Sequence, residues 1–258
     1  MAAESVPTVG LWVCGSLPEV IDVPNGHPIM HSVAQGSSAA GSKTTLTLRK
    51  WSREDAPTYF EALNASRDFL VKTLPQRAVP ATLEEATTKV DTVVRQWDSA
   101  ESFQYFIWEK SSSARGDNTG EKLIGAISLF NRHGVGSLEV GFWIAEDSVR
   151  KGVATRASLA LCLAAFEGLS FNASTDSATG DSHLGENRGR ASLHSIEVYH
   201  DKFAEEKSGG VARKLLFQRR EESRYDPGPG PTCSGILVRW VLLVENYEEL
   251  KAMQQQQL

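Results

Sequence analysis

LEVGFWIAEDSVRKGVATRA, residues Leu138 to Ala157, is the stretch whose reading decides the fold. Leu138, Val140, Phe142 and Ile144 alternate with Glu139, Gly141 and Trp143, the period of two that marks a strand. Turn-forming and acidic residues follow at Glu146, Asp147 and Ser148, then the basic, small-residue run Arg150-Lys151-Gly152-Val153-Ala154-Thr155. Beyond Thr155, the segment SLALCLAAF is apolar almost all round, as a buried helix requires. A strand is thus delivered onto a helix start, where unpaired backbone N–H groups and a partial positive charge suit phosphate. Gly152 lets the backbone approach an anion closely, and Arg150 and Lys151 add full charges. Gly141 is expected to mark a bulge or a close ligand approach, because glycine otherwise weakens a strand. Taken alone, the same loop also suits an ordinary helix start on a polar surface.

This strand, loop and helix resemble the acetyl-coenzyme A site of the GNAT N-acetyltransferases. In that family the pantetheine arm lies along the fourth strand, and the pyrophosphate sits on a loop of pattern (Gln/Arg)-x-x-Gly-x-(Gly/Ala). Here the pattern falls on Val149-Arg150-Lys151-Gly152-Val153-Ala154, with Val149 where Gln or Arg is usual. The resemblance implies coenzyme contacts from Trp143, Ile144, Val149, Arg150, Lys151, Gly152, Val153, Ala154 and Thr155.

A second segment extends the likeness. Ser195 to Lys202 resembles the family's fifth strand and its exit. Ser208, Val211, Lys214, Leu215 and Phe217 keep the spacing of the following Asn-x-x-Ser-x-x-Val-x-x-Lys-Leu-Gly-Phe. Glu205 stands where the Asn is expected (Ala204 if one residue is inserted), and Leu216 replaces the Gly. Upstream, LTLRKWSREDAPTYFEALNASRDFL and PATLEEATTKVDTVVRQW look like the first strand and its paired helices. The resemblance covers about Thr45 to Asn246 and runs to the branch that acetylates N-termini of ribosomal proteins and to related small-molecule acetyltransferases. It implies an α+β fold, a GNAT-like mixed and mostly antiparallel sheet flanked by helices and splayed between strands four and five. It also implies acetyl-CoA as co-substrate.

Composition is compatible with this and narrows the partners. The chain has 258 residues, 41% of them hydrophobic, enough for one sizeable domain with extensions. Its net charge of -5 argues against a generic nucleic-acid binder and suits a cationic amine acceptor. Cys14, Cys162 and Cys233 lack metal-like spacing and suggest a reducing compartment, so no metal is expected and the location is read as cytoplasmic. No apolar run of about 18 residues predicts a membrane span, and no signal-peptide layout opens the chain. A monomer or homodimer is expected.

Along the chain, residues 1–43 read as an extension ending in a Gly/Ser/Ala linker, with a short strand near Leu11–Cys14. The main domain is drawn over 44–247. Ser52 and Thr82 are expected to cap two helices, and strands at Gln104–Glu109 and Lys122–Phe130 lead into Leu138–Ile144. Residues 170–192 are polar, lack apolar periodicity and read as a disordered insertion. Its Asn172-Ala173-Ser174 fits a glycosylation acceptor only by pattern. A last strand is expected at Ile236–Val244, and 248–258 reads as a solvated low-complexity tail.

Amide formation needs a neutral amine, stabilisation of the oxyanion that develops on the thioester, and departure of the thiolate. Backbone N–H groups near Gly141 are the expected oxyanion donors. Glu139, sharing a strand face with Gly141 and Trp143, is the first candidate base, and a solvent-facing strand carboxylate is its plain alternative. His200, beside Glu197 and Asp201, has a suitable unperturbed pKa but suits a structural hydrogen bond equally. Ser208, carried by the resemblance, would contact the coenzyme and donate a proton to the departing thiolate, or simply cap the helix from Gly209. Lys214 would reach coenzyme phosphate or cover the helix surface, and Trp143 would line the acetyl pocket or sit in the core. Three readings remain open: an acetyl-CoA-dependent N-acetyltransferase, a non-catalytic acyl-CoA-binding module, and a nucleotide binder lacking the Gly-x-x-x-x-Gly-Lys-Ser/Thr signature.

Overall fold

The computed structural model describes residues 12–24, 43–72, 79–112, 118–130, 136–172, 190–226 and 233–255. Strands β1 (Trp12–Gly15), β2 (Val20–Val23) and β3 (Lys43–Lys50) come first. Helices α1 (Ala56–Ala65), α2 (Arg67–Leu70) and α3 (Leu83–Asp98) follow, then the meander β4 (Ser102–Ser112), β5 (Asn118–Phe130) and β6 (Ser137–Ile144). Helix α4 (Val153–Gly168) runs directly into β7 (Leu169–Asn172). After β8 (Arg190–Ser192) come β9 (Ser195–Asp201), α5 (Ser208–Lys214), β10 (Gln218–Arg224), β11 (Ile236–Leu243) and α6 (Tyr247–Gln255).

The expected caps form. Ser52 makes a capping box with Asp55 at a short 3-10 turn ahead of α1, and Thr82 Oγ1 accepts from the Glu85 N–H at 3.2 Å. Eight strands build the main sheet in the order β10-β11-β9-β6-β5-β4-β3-β2, and β1, β7 and β8 build a second, three-stranded one. Neighbours in the main sheet are antiparallel except β6 and β9. Those two pair in parallel only over Ser137–Glu139 with Ser195–Glu197. Beyond Glu139, β6 continues along β5 while β9 continues along β11, so the sheet opens. Counted from β3, this is the expected splay between strands four and five.

Apolar alternation on β6 divides the core. Leu138, Val140 and Ile144 pack with Ala157, Leu161, Cys162 and Ala165 of α4, while Trp143 joins Trp51, Tyr59, Phe106 and Trp108 on the face under α1 and α3. Helix α4 is apolar almost all round because it is covered twice, by the sheet and by α6, whose Leu250 is fully buried. Tyr247 Oη also donates to Glu167 of α4. Among the described residues no helix is long and apolar enough to cross a membrane.

Three expectations are corrected. The stretch read as a solvated tail, 248–258, begins as α6, because Tyr247, Leu250 and Met253 recur at helical spacing and dock on the core. The N-terminal extension is not merely appended: β1 pairs with β7, β2 pairs with the domain's first strand β3, and Leu17 is buried between them. Both ends of the polar insertion are strand, at β7 and β8. The linker at 35–42 and the middle of the insertion, 173–189, lie outside the described residues.

Candidate active site

The turn joining β6 to α4 is held rigidly ahead of its basic run. Ser66 Oγ, at the junction of α1 and α2, accepts from the Glu146 N–H at 3.0 Å. The Ser148 N–H donates to the Ala145 carbonyl at 2.9 Å, and Lys122 pairs with Asp147. Val149 is extended, after which Arg150 (φ 63°) and Gly152 (φ 76°) both take left-handed conformations. Gly152 is the N-cap of α4 and supplies no side chain to cap it. The leading N–H groups of Val153, Ala154 and Thr155 therefore project from a helix start whose own carbonyl at Gly152 first bonds Arg156 N, at 3.0 Å. Exposed Arg150 and Lys151 flank them. These residues fit a phosphate group, which would take the backbone donors and both charges.

Left-handed backbone costs a residue with a Cβ about 1–2 kcal/mol, so Arg150 is strained where Gly152 is not. Arg150→Gly is therefore expected to raise the melting temperature or leave it unchanged, while weakening coenzyme binding through the lost charge. A lower melting temperature together with unchanged affinity would reverse both assignments.

The opening of the sheet lies on the N-terminal side of this loop. Ala145 N–H donates to Ile124 O of β5 at 2.8 Å, and Trp143 O faces Gly125 of β5 so closely that a Cβ there would lie 2.5 Å away. Strand residues alternate their backbone groups between edges, so Val140, Phe142 and Ile144 turn their N–H and C=O groups toward the gap. Gly141 makes no bulge, because β5 and β6 keep an unbroken register from Gly125↔Ile144 to Phe130↔Glu139. A Cβ at Gly141 would meet only the Phe130 ring, at 3.3 Å. The donors facing the gap thus flank Gly141 and need no bulge.

At the apex, where pairing ends, Glu139 and Glu197 lie side by side. Glu197 is 3% exposed and saturated by donors. It accepts from Ser137 Oγ at 3.0 Å, Tyr199 Oη at 2.6 Å, Arg239 Nε at 2.8 Å and Arg239 Nη2 at 2.7 Å. Burial alone would raise its pKa, but the bonds from Arg239, Tyr199 and Ser137 outweigh this and hold it at about 2. Arg239 continues to Glu221 of β10 at 2.6 Å, so the network crosses β6, β9, β11 and β10. Glu139 itself is half-buried, and Trp143 on the same face lies 6.4 Å from the Tyr59 ring.

His200 does not join Glu139, because it lies on the opposite face of β9. Its Nε2 accepts from Trp240 Nε1 at 2.9 Å, and its Nδ1 lies 2.9 Å from the Asp201 carbonyl oxygen. With both nitrogens engaged and the ring 7% exposed, it holds no lone pair for an amine. Ser208 is the first residue of α5, one place past its N-cap Lys207, so it is not the capping residue. Lys214 is exposed at the other end of α5. The Glu205 carboxylate pairs with Arg219 Nε of β10 at 2.7 Å. Leu216, where the resemblance would place a glycine, takes a left-handed conformation (φ 63°).

Sequence reasoning missed Arg239, Trp240 and Ser66. Arg239 had a usable signal: a single charge inside the apolar run Ile236–Leu243 must find an internal partner. Ser66 carried none, because its role depends on a contact 80 residues away.

A family model described as an acetyltransferase (GNAT) domain matches residues 45–218. No curated protein matches the chain. Among solved structures, RimJ of Mycobacterium smegmatis in complex with a CoA-disulfide aligns with a TM-score of 0.58 at 15% identity, over 83% of this chain and 92% of its own. The ribosomal-protein-S5-alanine acetyltransferase of Vibrio fischeri aligns at 0.54 and 18% identity, over 78% and 94%. The microcin C7 self-immunity acetyltransferase MccE, in complex with acetyl-CoA and AMP, aligns at 0.57 and 13% identity, over 77% and 92%. At these identities the likeness is one of fold.

Proposed function

The chain belongs to the GNAT acetyltransferase family, and from that premise we propose that it acetylates a primary amine with acetyl-CoA as co-substrate. The acceptor we propose is the α-amine of a protein or peptide N-terminus, or a small amine of low pKa. The observation that carries this reading is the junction of two features: β6 parts from β9 after Glu139, and the same strand leads into an uncapped helix start beside Arg150 and Lys151. Acetyl-CoA supplies a thioester carbonyl open to attack and a thiol as leaving group. Val149, Arg150, Lys151, Gly152, Val153, Ala154 and Thr155 would hold its phosphates, and Trp143 and Ile144 lie on the strand that leads there. The N–H groups of Val140, Phe142 and Ile144 face the gap and can donate to a carbonyl oxygen.

Proton handling argues for the acceptor class. Glu197 is held ionised by its four bonds, and His200 has no vacant nitrogen, so Glu139 is the remaining base candidate at the apex. An α-amine has a reference pKa of about 8 and a lysine about 10.4, so only the former is appreciably neutral near pH 7 without a strong base. Positioning then supplies much of the rate. The Vibrio fischeri neighbour's name points the same way, to an alanine of ribosomal protein S5, a residue without a side-chain amine.

Thiol release measured over a panel of amines tests the reading. Free N-terminal peptides or small amines should react faster than internal lysines in N-terminally blocked peptides, and the opposite order would overturn the acceptor class. Binding of acetyl-CoA without thiol release from any amine would favour a non-catalytic acyl-CoA-binding module, the alternative supported by Glu205 occupying the usual Asn position in an ion pair. Ser208→Ala should lower kcat about tenfold with little change in coenzyme affinity. That lies below the usual acid–base range because a thiol of pKa about 8.5 leaves readily. Equal losses in both parameters would assign Ser208 to binding.

A further inference from the structure

We propose that the hydrogen-bonded pair His200–Trp240 is the platform that positions Ser208, a role that rests on reading Ser208 as proton donor to the leaving thiol. The two rings are diagonal neighbours on β9 and β11, since Val238 stands opposite His200 and Trp240 opposite Val198. An indole nitrogen can only donate and a carbonyl oxygen can only accept. Trp240 Nε1 at 2.9 Å from Nε2, and the Asp201 carbonyl at 2.9 Å from Nδ1, therefore make Nε2 the acceptor and Nδ1 the donor of the ring. The Asp201 end is itself immobilised. Its carboxylate accepts from Phe203 N at 2.7 Å, Ser234 N at 2.8 Å and Tyr225 Oη at 2.9 Å. The ring can neither flip nor slide without breaking bonds in a buried site.

The first turn of α5 rests directly on that bond. Gly209, buried and next to Ser208, lies so close that a Cβ would stand 3.1 Å from His200 Nε2 and 3.3 Å from Trp240 Cζ2. Arg213, one turn further along α5, lies over the Trp240 ring at 5.8 Å. Ser208, by contrast, has no side-chain hydrogen bond to hold it among the described residues. Its place is therefore set by its backbone, and its backbone by the surface that Gly209 touches. Thus a histidine that cannot act as a base has a positioning role in the same reaction.

Trp240→Phe keeps a ring and removes the donor, and Gly209→Ala disturbs the same contact from the helix side, so neither test depends on one variant folding well. Each is to be measured below its own melting temperature, with three readouts: kcat, acetyl-CoA affinity by calorimetry, and amide hydrogen exchange. The expected result is a fall in kcat of about fivefold or more, unchanged affinity, and faster exchange at residues 208–211 but not in α4. Adding Ser208→Ala should then cost nothing further, as for residues acting through one another. Unchanged exchange at 208–211, or losses that multiply in the double variants, would overturn the proposal. Should Ser208→Ala alone leave kcat unaltered, the donor reading of Ser208 fails, and the exchange data still decide whether the pair holds α5.

Discussion

Gly152→Asp is expected to lower acetyl-CoA affinity at least about 100-fold, about 2.7 kcal/mol, without lowering the melting temperature. Gly152 is the left-handed N-cap of α4, at φ 76°, and no side chain caps the helix. Aspartate tolerates left-handed backbone better than most residues and is among the preferred N-caps. Its carboxylate would take the N–H groups that a phosphate otherwise takes, and would add a negative charge beside Arg150 and Lys151. The variant should satisfy its own helix and exclude the ligand by the same bonds. Calorimetry alongside thermal melting reads both effects. Unchanged affinity would remove this loop from the coenzyme site.

The second large effect concerns stability. Arg239→Leu is expected to cost about 3–5 kcal/mol near pH 7, because it leaves the Glu197 carboxylate buried without its cation. In the parent protein Glu197 titrates at about 2, below its ordinary 4.5. Its stabilising contribution is therefore complete above about pH 5 and is lost as pH falls from 4.5 toward 2. In the variant burial acts without the Arg239 bonds that offset it most, so the carboxyl is expected to protonate at higher pH than in the parent and protonation relieves part of the penalty as pH falls. The stability gap between the two should accordingly narrow on going from pH 7 to pH 4 in urea denaturation. An equal gap at both pH values would mean that Arg239 acts by packing alone. Combining it with Glu197→Gln should recover much of the loss, since no buried charge then remains.

Local patterns made much of this fold legible. The period of two at Leu138–Ile144, the apolar run of α4 and the caps at Ser52 and Thr82 all act over a few residues, and each appears where the sequence places it. The helix start at Gly152 was legible for the same reason. What could not be read depends on pairing between distant segments. Nothing near His200 announces Trp240, and nothing near Glu205 announces Arg219, yet these partners engage the His200 ring in the structural hydrogen bond that was one of its two readings and tie the Glu205 carboxylate into an ion pair. Gly141 misled because glycine on this strand accommodates the Phe130 ring across β5 and not an extra residue. The final helix was hidden behind a glutamine-rich composition, although Tyr247, Leu250 and Met253 carried its apolar stripe.

The N-terminal strand has a kinetic consequence. β1 pairs Trp12 with Asn172 and Gly15 with Leu169, so its partner is synthesised about 150 residues after it. Hairpins β4–β5 and β5–β6 can zip locally as the chain emerges, whereas β1 must wait unpaired until α4 is complete. Closing so long a loop costs entropy that grows only as the logarithm of its length, yet it delays the contact. The strap is thus expected to dock among the last events of folding and to leave among the first, a seal laid by an early-made segment over a strand made much later.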